Sequence, residues 1–509
     1  MKIDIDSLPD DTVLLKKLLT ELSQEHAFLE ERFRLAQHKQ FGKSSEAYPG
    51  QGELFNEAEE LAVASELEQT DVEKESITYE RKKPVRKALP KDLPREVVIH
   101  DIAEEDKSCD DCGHELHQMG EDKSEKLQFI PAQVKVIEHV RPKYSCRHCE
   151  QHATKVNIKQ APVPASPIPK SFATASLVSQ IITSKYQYGL PLYRQESLFK
   201  EYGIDLSRQT MSGWLLKIAD LLKVLYDKLR QILLQQSVIQ ADETTLKVIE
   251  SEKSKCYMWL YCTGTDSPES NHTDIPNIVL YDFHESRASQ CAIDFLQGYS
   301  GYLQVDGYQA YASTEAILSG CWAHARRKFK EADIVQGKGK PKAGKATWAM
   351  SHIKKLYRIE TLIKDKTPVE KQVYRTEHAV PLLEEYKAWL DKSIQQVPPK
   401  SALGKALAYS LNQWPKLIRY LEDGELNIDN NRAERAIKPF VIGRKNWLFS
   451  NTTNGAHASS ILYSIVETAK ANNLIPFDYL HHVISVLSER NDDEVLNELL
   501  PWNVSLQLR

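Results

Sequence analysis

No stretch of this 509-residue chain approaches the roughly 18 uninterrupted apolar residues of a membrane span, and Met1 to Asp11 is acidic and carries no apolar run. A membrane partner is therefore not expected, and the chain reads as cytoplasmic. It also lacks a net charge of any size: 66 Lys and Arg stand against 71 Asp and Glu, a balance of −5. Nothing points to an oxidising compartment, so its 8 cysteines are not read as a disulfide framework. With 41% apolar and 27% charged residues, wholesale disorder is excluded. Such a length exceeds what one core serves and suggests about three units at roughly 150 residues each.

The small net charge conceals blocks. From Glu46 to Glu75 there are ten acids against one Lys, or −9, and from Cys321 to Arg358 eleven Lys and Arg against two acids, or +9. A basic face for nucleic acid is compatible with this distribution, and so is a solvated loop and helix.

Leucines recur at Leu8, Leu15, Leu22 and Leu29, with Leu19, His26 and Phe33 at the interleaved offset. This heptad seam predicts a coiled coil over 8–42, joining copies of the chain or packing on its own core. Residues 43–94 are acidic, then basic, with little periodicity, and read as a flexible charged linker. Within 95–160, Cys109-Asp-Asp-Cys112 and Cys146-Arg-His-Cys149 form two Cys-x-x-Cys knuckles. Two-residue gaps let both thiolates of a knuckle face one zinc ion, and two knuckles complete a tetrahedron. The 33 residues between them exceed the common ribbon spacing, which leaves His114, His117 or His148 as substitute ligands. Cys256, Cys262, Cys291 and Cys321 lie in apolar contexts and read as buried small hydrophobes.

A Pro-rich passage from Pro162 to Pro169 opens a helical region, 170–235. A helix from Leu192 to Tyr202, Gly203, and a second helix capped by Ser207 suggest a helix-turn-helix whose Arg208, Gln209 and Ser212 face DNA. A plain helical hairpin has the same pattern. From Val238 the pattern changes to three strands, a helix, a strand ending at Asp306-Gly307, and a basic helix after Trp322. That order suits a ribonuclease-H-like sheet, with Asp242 on its first strand and Asp306 at the end of the fourth. Asp242 interrupts a β-branched run where strand propensity disfavours it. Either acid alone reads more simply as a solvent-facing or turn residue. A third acid, Glu434, follows Asn431 at the spacing of a capping box, which is a structural reason for its presence.

Ala241-Asp242-Glu243-Thr244, Val305-Asp306-Gly307-Tyr308, Cys321-Trp-Ala-His324-Ala-Arg326-Arg327 and Asp429-Asn430-Asn431-Arg-Ala-Glu434-Arg435 together resemble the transposases of the insertion sequence 66 family. Phe41-Gly42-Lys43-Ser44-Ser45, the double knuckle and Tyr463-Ser-Ile-Val-Glu-Thr-Ala-Lys470 extend the resemblance to nearly the whole chain. It implies catalytic acids at Asp242, Asp306 and Glu434, with Asp429 in reserve as the third. It also implies a mainly helical insertion, about 333–425, which suits the 128 positions between Asp306 and Glu434.

Three converging carboxylates repel one another unless a cation neutralises them, and hard oxygen ligands suit Mg2+ or Mn2+. Two ions about 3.5 to 4 Å apart would serve in-line displacement at phosphorus, first by water and then by a 3′-hydroxyl. His324, Arg326 and Arg327 are expected to orient phosphates, with Arg435, Lys438, Arg444 and Lys445 along a DNA channel. Trp447 reads as core before it reads as a base platform.

The expected architecture is multidomain: an N-terminal α-helical coiled coil, a small zinc-ribbon-like module, an α/β ribonuclease-H-like catalytic domain (236–455) with its helical insertion, and an α-helical C-terminus (456–509). Double-stranded DNA, a second copy of the chain and accessory proteins of the same element are the partners implied. A zinc-containing DNA-binding regulator without catalysis, and a nuclease that cuts without joining, are the rival readings.

Overall fold

The computed structural model describes residues 11–41, 134–145, 158–266, 275–336 and 344–506, together with residues 97 and 268. Cys109, Cys112, Cys146 and Cys149, and most of the expected linker, lie outside the described residues. The chain divides into two compact units, one of 71–142 and one holding the remainder, and every helix and strand among the described residues belongs to the second.

Helix α1 (Thr12–Phe41) carries the heptad positions from Leu15 to Phe33, and Leu8 lies outside the described residues. Its C-terminal half lies against this chain: Arg34 donates to the Val335 carbonyl (3.1 Å), and Glu31 accepts the Ala402 N–H (3.0 Å). Leu19, Leu22, Leu29 and Phe33 are left exposed. Strands β1 (Lys143–Tyr144) and β2 (Lys159–Gln160) pair antiparallel and bracket the second knuckle in sequence.

Helices α2 (Ala175–Tyr186), α3 (Leu192–Glu201) and α4 (Arg208–Leu233) follow. Gly203, at φ +75°, ends α3 in a conformation that favours glycine, and the Ile204 N–H returns to the Phe199 carbonyl (2.9 Å) to close the turn. Ser207 then caps α4 by accepting the Thr210 N–H (3.2 Å). From there Met211, Trp214, Leu215, Ile218, Leu222, Leu225 and Leu229 line one buried helical face.

A five-stranded sheet has the order β5-β4-β3-β6-β7. Strands β3 (Val238–Leu246), β4 (Cys256–Thr263) and β5 (Ile278–His284) form an antiparallel meander, and β6 (Tyr302–Gln304) and β7 (Ile317–Ser319) continue parallel beyond β3. Helix α5 (Ser289–Phe295) lies between β5 and β6 in sequence. Strand β4 is buried at nearly every position, as its unbroken Met258-Trp-Leu-Tyr-Cys run requires of a strand covered on both faces.

Strand β5 is an edge, and its outward backbone groups are satisfied by side chains of α11 (Thr453–Ala471). Tyr281 N donates to Ser464 Oγ (2.7 Å), Val279 N donates to Thr468 Oγ1 (3.1 Å), and Thr468 Oγ1 donates to the Val279 carbonyl (2.8 Å). Two hydroxyls one helical turn apart thus replace a missing neighbour strand and close an edge that would otherwise pair with another chain.

Helix α6 (Trp322–Gln336) is followed by α7 (Lys345–Leu362), α8 (Pro368–Ile394) and α9 (Ala402–Leu417), the helices that cover the expected insertion of about 333–425. A second core, including Trp322, Phe329, Ile353, Leu356, Tyr386, Leu390, Leu407 and Leu417, holds these helices together. The chain returns to the sheet through α10 (Asn431–Trp447), and α12 (Pro476–Leu487) and α13 (Asp493–Glu498) complete the C-terminal region.

Candidate functional site

Asp242 sits on β3 opposite Leu260 of β4, half-buried, and Asp306 follows β6, the parallel neighbour of β3. Gly307 turns the chain immediately afterwards at φ +100°, and the Tyr308 N–H donates to Asp306 Oδ1 (2.8 Å). Glu434, 5% exposed, stands in the first turn of α10. That helix is tied to β3 by Asn430, whose Nδ2 donates to the Ala241 carbonyl (2.8 Å), one residue from Asp242.

These acids share one neighbourhood. The Asp242 carboxyl is held well above the usual carboxylate range by burial first, and then by the negative charges of Glu243, Asp306 and Glu434. Its one offset among these causes is the Glu243 N–H, which donates to its Oδ1 (2.8 Å). A nearby cation favours the charged form of a carboxylate in this position.

The capping box expected at Asn431 and Glu434 does not form. The residue before α10 makes no side-chain cap hydrogen bond, whereas the same pattern at Thr367 and Glu370 does build a box at the start of α8. Glu434 turns instead towards α6, with Oε1 3.4 Å from His324 Nδ1 and Oε2 3.5 Å from Arg327 Nη2. Burial, followed by the charge of Arg327, lowers the His324 pKa to about 4, so the ring is neutral at physiological pH. Asp429 is engaged elsewhere: it accepts from Tyr357 Oη (2.8 Å), Asn431 N (3.1 Å) and Asn431 Nδ2 (2.7 Å), a turn-and-anchor role.

The basic residues singled out in the sequence are dispersed. Arg326 is half-buried on α6 on the side of Tyr357, while Arg327 reaches Glu434 and His324. Arg435 binds Asp266 (2.6 Å), which also holds the buried Arg432 (2.8 Å). Arg444 donates to Thr245 Oγ1 (3.1 Å) at the far end of β3, Lys438 is half-buried and Lys445 is exposed. Arg208, Gln209 and Ser212 are exposed at the start of α4. Trp447 packs edge-on against Phe440, 5.5 Å between ring centres, as a core residue does.

Sequence reasoning missed a second layer around Glu243. Its side chain, 2% exposed, receives Arg287 Nε (3.0 Å), Arg287 Nη2 and Tyr311 Oη (2.7 Å). The Arg287 guanidinium lies 3.7 Å over the Tyr308 ring, and Tyr308 Oη donates to the Arg287 carbonyl (2.6 Å). One arginine therefore links the neighbour of Asp242 to the residue two beyond Asp306. Tyr308, directly after Asp306-Gly307, was the available signal; Arg287 left none, because it stands in a loop 44 positions from Glu243.

Arg287→Ala is expected to cost about 1–2 kcal/mol, since a buried carboxylate loses its partner while solvent screens part of the pair. It should also displace the pH profile of any activity at Asp242 upwards, because Glu243 charge is then unopposed, with Arg287→Lys intermediate. Thermal melts and a pH–rate series check both, and an unmoved profile would leave Arg287 a merely structural residue.

Comparison with known proteins agrees along the chain. The Transposase IS66 family matches residues 170–458, which carry the sheet and Asp242, Asp306 and Glu434. The zinc-finger binding domain of transposase IS66 matches 106–150, the Transposase C of IS166 homeodomain matches 28–98, and the IS66 C-terminal element matches 464–502. The chain belongs to the IS66 transposase family. Its relatives include the uncharacterized protein y4jD of Sinorhizobium fredii, 33% identical over 99% of this chain and 98% of its own, and the uncharacterized protein y4qI of the same organism, 30% identical over 99% of each. No helix among the described residues is long and apolar enough to cross a membrane.

Proposed function

We propose that this chain is a DNA transposase that binds the ends of its insertion element and carries out metal-dependent strand cleavage followed by strand transfer, with Asp242, Asp306 and Glu434 as the acting acids. The observation that carries the reading is the convergence of the charges of Asp306 and Glu434 on the half-buried Asp242, with α10 tied to β3 one residue away by Asn430. The strand order, three antiparallel strands followed by two parallel ones, supports a ribonuclease-H-like domain interrupted by the insertion.

The donor set is carboxylate oxygen in surroundings that penalise its own charge, and this fits Mg2+ or Mn2+. When bound, such ions supply positive charge that offsets the acids and polarises phosphate oxygens. The protein's part is positioning. Asn430 fixes the start of α10 against β3, the Tyr308 N–H orients Asp306, and Arg327 holds Glu434. Neutral His324 can accept a hydrogen bond without adding charge, Arg327 stands beside Glu434, and Arg326 follows on the same helix, both to meet phosphate. Arg208 and Gln209 at the start of α4 are placed to enter a groove, and Arg435, Lys438, Arg444 and Lys445 supply charge along α10. Zinc in the Cys109, Cys112, Cys146 and Cys149 module, two copies joined through the exposed α1 seam, accessory proteins and a cytoplasmic setting complete the reading.

The test is strand transfer with the element's own ends in Mg2+ or Mn2+. Flanked ends should be cut and the freed 3′-hydroxyl joined to target DNA, pre-cut ends with a 3′-hydroxyl should join directly, and pre-cut ends finished with a dideoxynucleotide should not join. Cutting of flanked ends with no joining of any 3′-hydroxyl end would make the chain a nuclease, and binding without cutting would make it a regulator.

A further inference from the structure

We infer that Cys321, His324 and Glu434 form a second metal site, selective for a thiophilic divalent ion such as Zn2+, which shares Glu434 with the acid cluster. Their donor atoms lie within 4.8 Å of one another. With bonds of about 2.0–2.3 Å, tetrahedral zinc needs donors roughly 3.3–3.8 Å apart, so movement of about 1 Å closes the set. A thiolate and an imidazole beside one carboxylate favour zinc over magnesium, which demands oxygen.

The frame is rigid. Cys321 immediately precedes α6, His324 is on the first turn of that helix, and Glu434 is on the first turn of α10. Asn430 N donates to Cys321 Sγ (3.2 Å). Burial pushes the Cys321 thiol up, the N–H donor at this helix start opposes that in part, and a bound ion would supply the remaining charge that holds a thiolate. His324 Nδ1 faces Glu434 Oε1 across 3.4 Å, too far for a good hydrogen bond, and this buried nitrogen has no hydrogen-bond partner.

On binding, the Cys321 thiol gives its proton to solvent, and sulfur, Nδ1 and one carboxylate oxygen bond to the ion, leaving a fourth position for water. The ring proton then sits on Nε2, so Arg327 Nη1, now 3.2 Å from that atom, swings away. An ion held here withdraws Glu434 from Asp242 and Asp306, so zinc should oppose magnesium. That consequence rests on the transposase reading; the site does not.

The experiment adds Co2+ to the full chain whose knuckles are already filled with zinc. The wild type should develop a thiolate-to-cobalt charge-transfer band, absent in Cys321→Ser and requiring roughly tenfold or more Co2+ in His324→Gln. A band that persists in Cys321→Ser, or no band in the wild type, overturns the site. Circular dichroism confirms that each variant is folded, and if Cys321→Ser is not, the His324→Gln titration decides. In a parallel Mg2+-dependent cleavage assay, micromolar zinc should inhibit the wild type at least tenfold more than Cys321→Ser. A wild type that shows the cobalt band but never cleaves DNA would sink the transposase reading and leave the site standing.

Discussion

Asp242→Asn, Asp306→Asn and Glu434→Gln should each lower Mg2+-dependent cleavage and joining by about 10²–10³-fold or more, the loss typical when one preorganised charge-stabilising group is removed. Folding should survive, and for Asp242→Asn the metal-free protein should melt higher than wild type. The sign follows from linkage. The folded-state pKa of Asp242 is raised above its unfolded value, chiefly by burial and then by Glu243, Asp306 and Glu434. Its contribution to stability is therefore whole below the unfolded value of about 3.9 and is lost as pH rises through the higher folded value. Above the unfolded value the carboxyl opposes folding, and an amide of the same shape removes the opposition. Added Mg2+ should raise the wild-type melting temperature and leave that of Asp242→Asn nearly unmoved, because a ligand that binds only the folded state stabilises it by mass action. Melts with and without Mg2+, set beside cleavage rates, check this. Full activity in Glu434→Gln would return the third role to Asp429, despite the three hydrogen bonds that occupy its carboxylate.

What the sequence disclosed and what it hid divide along range. Period-two runs and β-branched residues located β3, β4 and β5, and the Gly203 and Ser207 signals located the turn between α3 and α4, because these are local properties of the backbone. The fate of Glu434 was ambiguous for the same reason. Asn431 and Glu434 have the spacing of a capping box, and only the approach of α6, more than 100 positions earlier, draws the carboxylate to His324 and Arg327. Cys321 was legible as buried but not as a neighbour of Glu434, since that carboxylate is brought by α10. The heptads of α1 gave the helix; they did not show that Glu31 and Arg34, outside the seam, would meet α9 and the end of α6.

Arg375 is the least visible of the residues on which the site depends, and its loss should cause the largest fall in stability. It is 1% exposed on α8 and pairs with Glu360 through Nε (2.9 Å) and Nη2 (2.6 Å). Its remaining donors reach the carbonyls of Tyr420 (2.8 Å), Asp423 (3.0 Å) and Leu426 (2.9 Å). Those carbonyls belong to the segment that leaves the insertion and leads within a few residues to Asp429, Asn430 and α10. A long charged side chain thus gathers an irregular loop that no helix or strand would otherwise order. Arg375→Met keeps the volume but leaves the Glu360 carboxylate and three carbonyls without their donor, and removing one partner of a buried pair costs about 3–5 kcal/mol. The melting temperature should fall by roughly 10 °C. Arg375→Lys should recover only part of this, because an ammonium cannot serve a carboxylate and three carbonyls in the fork geometry of a guanidinium. Since the loop sets where α10 begins, the surviving folded protein should also need more Mg2+ for half-maximal cleavage, whereas a variant of equal instability elsewhere in the insertion core, such as Leu407→Ala, should not. Equal Mg2+ requirements in the two variants would confine Arg375 to holding the insertion together; a higher requirement in Arg375→Met alone would make the insertion part of the machinery that places Glu434.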